Sequence, residues 1–160
     1  MKEPRSRAPL LPRAGEGRPA FPPIAVTIAG SDSSGGAGIQ ADLKTFAALG
    51  VYGASVITGL TAQNTLGIAA IRNVPARFVA QQIDAVLGDL HVAACKIGML
   101  PRREVVVAVA DRLTAWEARN IVLDPVMIST SGRRLSSRDA VETMKAVSYT
   151  HLTLPTILRV

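Results

Sequence analysis

A single cysteine in 160 residues excludes an internal disulfide, and the setting of Cys95 beside Ala93 and Ala94 in an apolar run predicts a buried, reduced thiol rather than a nucleophile. Two histidines, His91 and His151, stand apart from any Cys or carboxylate at ligand spacing, so no metal site built on them is expected. Aromatic residues make up only 4% of the chain and do not interleave with basic ones. The net charge of +6 is also uneven: +3 falls in residues 1–23, +1 in Arg159 and only +2 in residues 24–146. That pattern lacks the footprint of a nucleic-acid binder. The first 23 residues offer only Leu10-Leu11 as an apolar pair, too short for a signal peptide or a membrane span. The expectation is a cytoplasmic protein with neither nucleic acid nor membrane as a partner.

What is present is ordinary globular composition, 48% hydrophobic and 19% charged, at a length that suits one domain. Its most informative stretch is Gly30-Ser31-Asp32-Ser33-Ser34-Gly35-Gly36-Ala37-Gly38-Ile39-Gln40-Ala41-Asp42, a glycine-rich loop between the apolar run Ile24 to Ala29 and a helix. Glycine there permits positive φ and close approach of backbone N–H groups to a ligand. The helix's positive end behind the loop favours a polar or anionic ligand. A tight turn with no ligand is the equally available reading. The loop lacks the Lys-Ser/Thr of a P-loop, and its glycines are not spaced as G-x-G-x-x-G.

Apolar periodicity predicts strands over 24–29, 54–60, 67–73, 94–97 and 121–123. Helices are predicted near 38–49, 75–90, 103–116 and 137–147. Such alternation argues for βαβ units on a mainly parallel sheet. The first helix presents Ile39, Leu43, Phe46 and Ala47 at helical spacing, with Gly50 where a C-cap belongs. The second presents Phe78, Ile83, Val86, Leu87 and Leu90 as its inner stripe, and the third Val105, Val106, Val109 and Leu113.

Five ordered blocks carry a family resemblance: Thr27 to Phe46, Tyr52-Gly53-Ala54-Ser55-Val56-Ile57-Thr58, Thr61-Ala62-Gln63-Asn64-Thr65, Lys96-Ile97-Gly98-Met99-Leu100 and Val122-Leu123-Asp124-Pro125-Val126-Met127. Together they resemble the hydroxymethylpyrimidine and phosphomethylpyrimidine kinases of thiamine biosynthesis, within the ribokinase-like superfamily. The resemblance covers about Pro23 to Val147 and implies a three-layer αβα fold, cut after roughly the N-terminal half. It implies a pyrimidine substrate, ATP and Mg²⁺ as cofactors, and is compatible with a homodimer of the full-length form. Carried over residue by residue, it implies that Gly30, Asp42, Gln63, Met99 and Val126 line the pyrimidine pocket and that Asp124 helps organise Mg²⁺ and phosphate.

The residue chemistry suits those roles. The Gln63 amide matches the donors and acceptors along an aminopyrimidine edge, the Asp42 carboxylate accepts, and Met99 and Val126 offer apolar contact. Taken without the resemblance, the same residues read as a first-turn helix carboxylate, a loop amide and two core side chains, and Asp124 as a carboxylate that accepts loop amides. The family's catalytic base and most of its ATP site belong to a C-terminal half that finds no counterpart here, so the chain alone is expected to be inactive. Two other readings stand beside this one: a pyridoxal kinase-like enzyme, which shares Asp-Pro-Val-Met, and a non-catalytic pyrimidine-binding module.

Three segments are expected. Residues 1–23 form a disordered, basic, Pro/Arg-rich extension, and residues 24–146 the N-terminal part of the kinase domain. Residues 147–160, which include Ser148-Tyr149-Thr150-His151-Leu152-Thr153-Leu154-Pro155, resemble a translated read-through of a sequencing-library transposon end; a genuine divergent strand ending at Pro155 is the alternative, since Thr, Leu, Tyr and Ile favour strands.

Overall fold

A computed structural model describes residues 22–129, 132 and 134–150, the last three as backbone only. The basic extension expected over 1–23, and the foreign tail expected over 147–160 with its Leu152 and Leu154, lie largely outside the described residues. Among the described residues five strands and four helices follow one another, alternating except where the second and third strands are consecutive. They are β1 (Ile24–Asp32), α1 (Gly38–Ala48), β2 (Tyr52–Asn64), β3 (Gly67–Asn73), α2 (Ala76–Leu87), β4 (Val92–Ile97), α3 (Arg103–Ala115), β5 (Ile121–Leu123) and α4 (Arg138–Thr150).

The sheet order is β3-β2-β1-β4-β5. β1 pairs in parallel with β2 and β4, and β4 with β5; α1 crosses over from β1 to β2, α3 from β4 to β5, and α2 carries the chain from β3 to β4. β3 alone runs antiparallel, against the outer half of β2. Only Thr65 and Leu66 separate those two strands, and so short a link joins antiparallel neighbours alone. Asn64 holds the turn by accepting the N–H groups of Leu66 and Gly67 at 2.9 and 3.1 Å.

Alternation along each strand divides the sheet's two faces. Val26, Ile28, Val56, Cys95, Ile97 and Leu123 point to one face. There they form a single core with Val79 and Ile83 of α2, Val105, Val106, Val109 and Leu113 of α3, and Ala140 and Met144 of α4. The other face is covered over β1 and β2 by α1, which Gly53 lets approach closely: a Cβ there would meet Leu43 and Phe46 at 2.7 and 3.1 Å. This gives helix, sheet and helix in three layers, as expected. Gly50, at φ +71°, follows the C-cap of α1 in the left-handed conformation that glycine adopts without penalty.

Two helix stripes differ from expectation. In α2 the inner position belongs to Val79, fully buried, while Phe78 is 54% exposed. Val79 and Ile83, at i and i+4, define the core face with Val86 and Leu87 packed beside them, and Phe78, one residue or about 100° away from Val79, falls on the flank. In α1 only Ile39 is buried, and Ala47 is exposed. The four residues expected inside α3 are all buried. No helix among the described residues is long and apolar enough to cross a membrane.

Candidate active site

The carboxyl ends of β1, β4 and β5 meet at one edge of the sheet, where ligands of open α/β sheets bind. The glycine-rich loop leaves β1 there, and its first task is internal. Asp32, nearly buried, accepts the Ser34 N–H and hydroxyl through Oδ1 at 2.8 and 2.7 Å. Its Oδ2 accepts the N–H groups of Gly36 and Ala37 at 3.0 and 2.8 Å. Burial pushes this carboxyl's pKa up, but the Ser34 hydroxyl and the three amides outweigh it, and the net direction is below the ordinary value. The Ser34, Gly36 and Ala37 amides are thus occupied by the loop's own carboxylate and stabilise a turn. For these three N–H groups the expectation of an anionic ligand is corrected.

Gly38, at φ +58°, brings the start of α1 against β1 so tightly that a Cβ would run into the Gly30 carbonyl. Gly30 itself lies under the Met99 methyl, which also covers Gly59. Met99 is held from behind, its carbonyl accepting the buried Thr58 hydroxyl at 2.6 Å. Gly30 and Met99 are therefore in direct contact.

Asp42 lies just beyond the first turn of α1 and reaches the sheet. It accepts the Thr27 hydroxyl at 2.6 Å and the Lys96 ammonium at 3.0 and 3.1 Å through its two oxygens. Thr27 and Lys96 are register partners on β1 and β4, so both leave the sheet on the α1 face. Asp124 follows β5 with its N–H bonded to the Ile97 carbonyl, and its carboxylate comes within 3.9 Å of the same ammonium. Asp42 and Asp124 are thus brought together through Lys96, a residue with no site role expected from the sequence.

Gln63 sits farther out on β2. The Ser33 hydroxyl donates to its carbonyl at 2.6 Å and accepts its N–H at 2.7 Å, a side chain standing in for a ladder rung. The Thr61 hydroxyl is 2.9 Å from the Ser31 carbonyl and 3.1 Å from Gln63 Oε1, and its one proton serves one acceptor at a time. Gln63 therefore keeps hydrogen-bonding capacity. An open groove of about 570 Å³ runs beside it, with Ser33, Asn64, Leu66 and Gly67 in its walls. Val126 lies two residues past Asp124, half-buried, its carbonyl 3.4 Å from the Ser136 hydroxyl. Cys95 is buried on the opposite face, and burial pushes its thiol up to about 11, which leaves it unreactive at neutral pH.

Among the described residues no three His, Cys, Asp or Glu side chains converge as a metal cage. Asp124, 53% exposed at its side chain, fits a looser role. Mg²⁺ usually takes one or two carboxylates and completes its shell with water and substrate phosphates.

Sheet order and crossovers define an α/β protein with polar groups gathered at the carboxyl ends of its strands. The pattern of the family described as phosphomethylpyrimidine kinase matches residues 32–157, and the chain belongs to that family. Over 118 residues it is 62% identical to the hydroxymethylpyrimidine/phosphomethylpyrimidine kinase of Rhizobium meliloti, covering 74% of this chain and 44% of that protein. The crystal structure of phosphomethylpyrimidine kinase from Clostridium difficile superposes with a TM-score of 0.71 at 48% identity, over 76% of this chain and 53% of that one. Staphylococcus aureus pyridoxal kinase in complex with pyridoxal superposes at 0.69 with 31% identity, over 80% and 46%. The chain spans less than half the length of the curated kinase it matches from Rhizobium meliloti.

Proposed function

We propose that these residues form the pyrimidine side of an ATP-dependent kinase that phosphorylates 4-amino-5-hydroxymethyl-2-methylpyrimidine and then its monophosphate, in thiamine biosynthesis and in the cytoplasm. The observation that carries the reading is the meeting of Asp42 and Asp124 on one ammonium, beside the Gly30–Met99 contact, at the carboxyl ends of three strands. In this reading Gln63 pairs with the aminopyrimidine edge and Met99 packs on the ring. Gly30 gives the ring room, since any side chain there would displace the Met99 methyl. Val126 adds apolar contact. Asp42, fixed by Thr27 and Lys96, holds a negative potential on the amino side of the ring.

When bound, Mg²⁺ neutralises the charge of the transferring phosphoryl group, and Asp124 is the residue that would hold it. Phosphoryl transfer depends chiefly on positioning and charge stabilisation. The catalytic base and most of the adenine pocket belong to the part of the relatives that these residues do not span. The pyrimidine side is therefore expected to bind without turning over.

Purified residues 1–160 given the hydroxymethylpyrimidine, ATP and Mg²⁺ test both halves. Calorimetric binding of the pyrimidine without phosphate transfer supports the reading. Binding of pyridoxal in its place favours the pyridoxal kinase-like alternative, and turnover at the rate of a full-length relative contradicts the division of roles.

A further inference from the structure

The parallel pairing of β1 with β2 slips by one residue at the site. Ala29 faces Ile57, but Gly30 faces Gly59, so Thr58 has no register partner on β1. Regular pairing would set Thr58 opposite Gly30. The extra residue instead lays two glycines side by side beneath the Met99 methyl, to which a Cβ on Gly59 would come within 3.1 Å. Thr58, fully buried, donates its hydroxyl to the Met99 carbonyl at 2.6 Å. The bulge therefore makes the floor under the Met99 side chain and also holds the Met99 backbone.

Such a bulge needs partners for the backbone groups it takes out of the ladder. On the outer side of β2, β3 pairs only as far as Gly59, opposite Asn73. The Val74 N–H reaches the Thr58 carbonyl at 3.0 Å. Ile57 is left to Gln82 of α2, whose Oε1 accepts the Ile57 N–H at 2.9 Å and whose Nε2 donates to the Ile57 carbonyl at 3.0 Å. One side-chain amide thus replaces a full rung of a strand. Gln82 is half-buried and precedes Ile83, which is seated in the core, so the helix carrying the amide is anchored. We propose that Gln82 is a positioning residue: it locks the bulge at Ile57 and Thr58, and through Thr58 it sets where the Met99 methyl meets the pyrimidine ring. This rests on the ring contact given above to Met99.

The test is a double-mutant cycle on the 160-residue chain. It is read by calorimetric affinity for the hydroxymethylpyrimidine and, without ligand, by NOEs from the Met99 methyl to the Gly30 and Gly59 Hα protons. Gln82→Met keeps the length but makes neither bond, and Thr58→Val deletes the hydroxyl at nearly constant shape. Each is expected to weaken those NOEs and to lower affinity about fivefold or more. Thr58→Ser, which keeps the hydroxyl, is expected to retain both. Because Gln82 acts through Thr58, the double variant is expected to bind no more weakly than the weaker of the two single variants. Gln82→Glu, which retains the acceptor alone, carries the comparison with the same loss expected if Gln82→Met lowers the yield of folded chain. The proposal is overturned if the folded Gln82 variant keeps either the native NOEs or the native affinity. It is equally overturned if the two losses add, since that marks residues acting independently. If the native chain binds no pyrimidine, the functional reading fails, and the ligand-free NOEs still decide whether Gln82 places Met99.

Discussion

Two regions at the same sheet edge, the glycine-rich loop and the junction around Lys96, use carboxylates in opposite ways. In the loop, Asp32 is nearly buried and accepts four hydrogen bonds from its own turn, leaving little to offer a ligand. At the junction, one lysine is divided between two carboxylates, and the outer one, Asp124, is half exposed. The loop is a rigid scaffold, whereas the junction holds unspent charge. Polar groups become a site where their partners do not exhaust them, and conspicuous glycines alone do not measure that.

The sharpest way to break the contrast is Asp32→Ala. It removes a buried carboxylate that accepts three amide N–H groups and a hydroxyl from an otherwise exposed turn, and is expected to destabilise the chain by about 3 kcal/mol, read as a fall in the denaturant midpoint. The same carboxyl sets an acid dependence. Its native pKa is lower than its ordinary value of 3.8, so it stabilises the fold above that value, and the contribution is lost as pH falls through the lower native one. D32N should therefore show a flatter decline of stability on acidification than the native chain.

Gly30→Ala comes next. The new methyl must push aside the end of the flexible Met99 side chain, so a cost of about 1 kcal/mol is expected, together with weaker pyrimidine binding. Gln63→Ala should leave thermal unfolding nearly unchanged and weaken pyrimidine binding by about 1–2 kcal/mol, measured by calorimetry. Unchanged affinity would remove Gln63 from the site. The smallest effect is expected for Asp124→Asn, within about 0.5 kcal/mol in stability, because its ion pair is long and solvent-screened. A loss as large as that of Asp32→Ala would erase the distinction between scaffold and site.

Much of the architecture was legible because it is written locally. Strand and helix alternation, the core stripe of α3 and the glycine after α1 depend on neighbours a few residues apart. Phe78 lies five residues before Ile83, off the i, i+4 row that Val79 and Ile83 form, so Val79 takes the inner position. The Asp32 turn had a signal, an acidic residue followed by Ser-Ser-Gly-Gly, which suits a side chain that caps its own turn. The prominence of the glycines drew the reading to a ligand instead. Lys96 had no such signal: its partner Asp42 lies 54 residues away, and only the β1–β4 register brings them together. The site residues were reached through motif resemblance, and what the residues alone left open was which groups hold each other.

Amide chemical-shift mapping of the 160-residue chain during titration with the hydroxymethylpyrimidine tests the central claim most directly. The account predicts saturable shifts at Gly30, Gln63, Met99 and Val126, with the Ser34, Gly36 and Ala37 amides held in place by Asp32 and nearly unmoved. Shifts centred on those loop amides, with the four site residues silent, would contradict it.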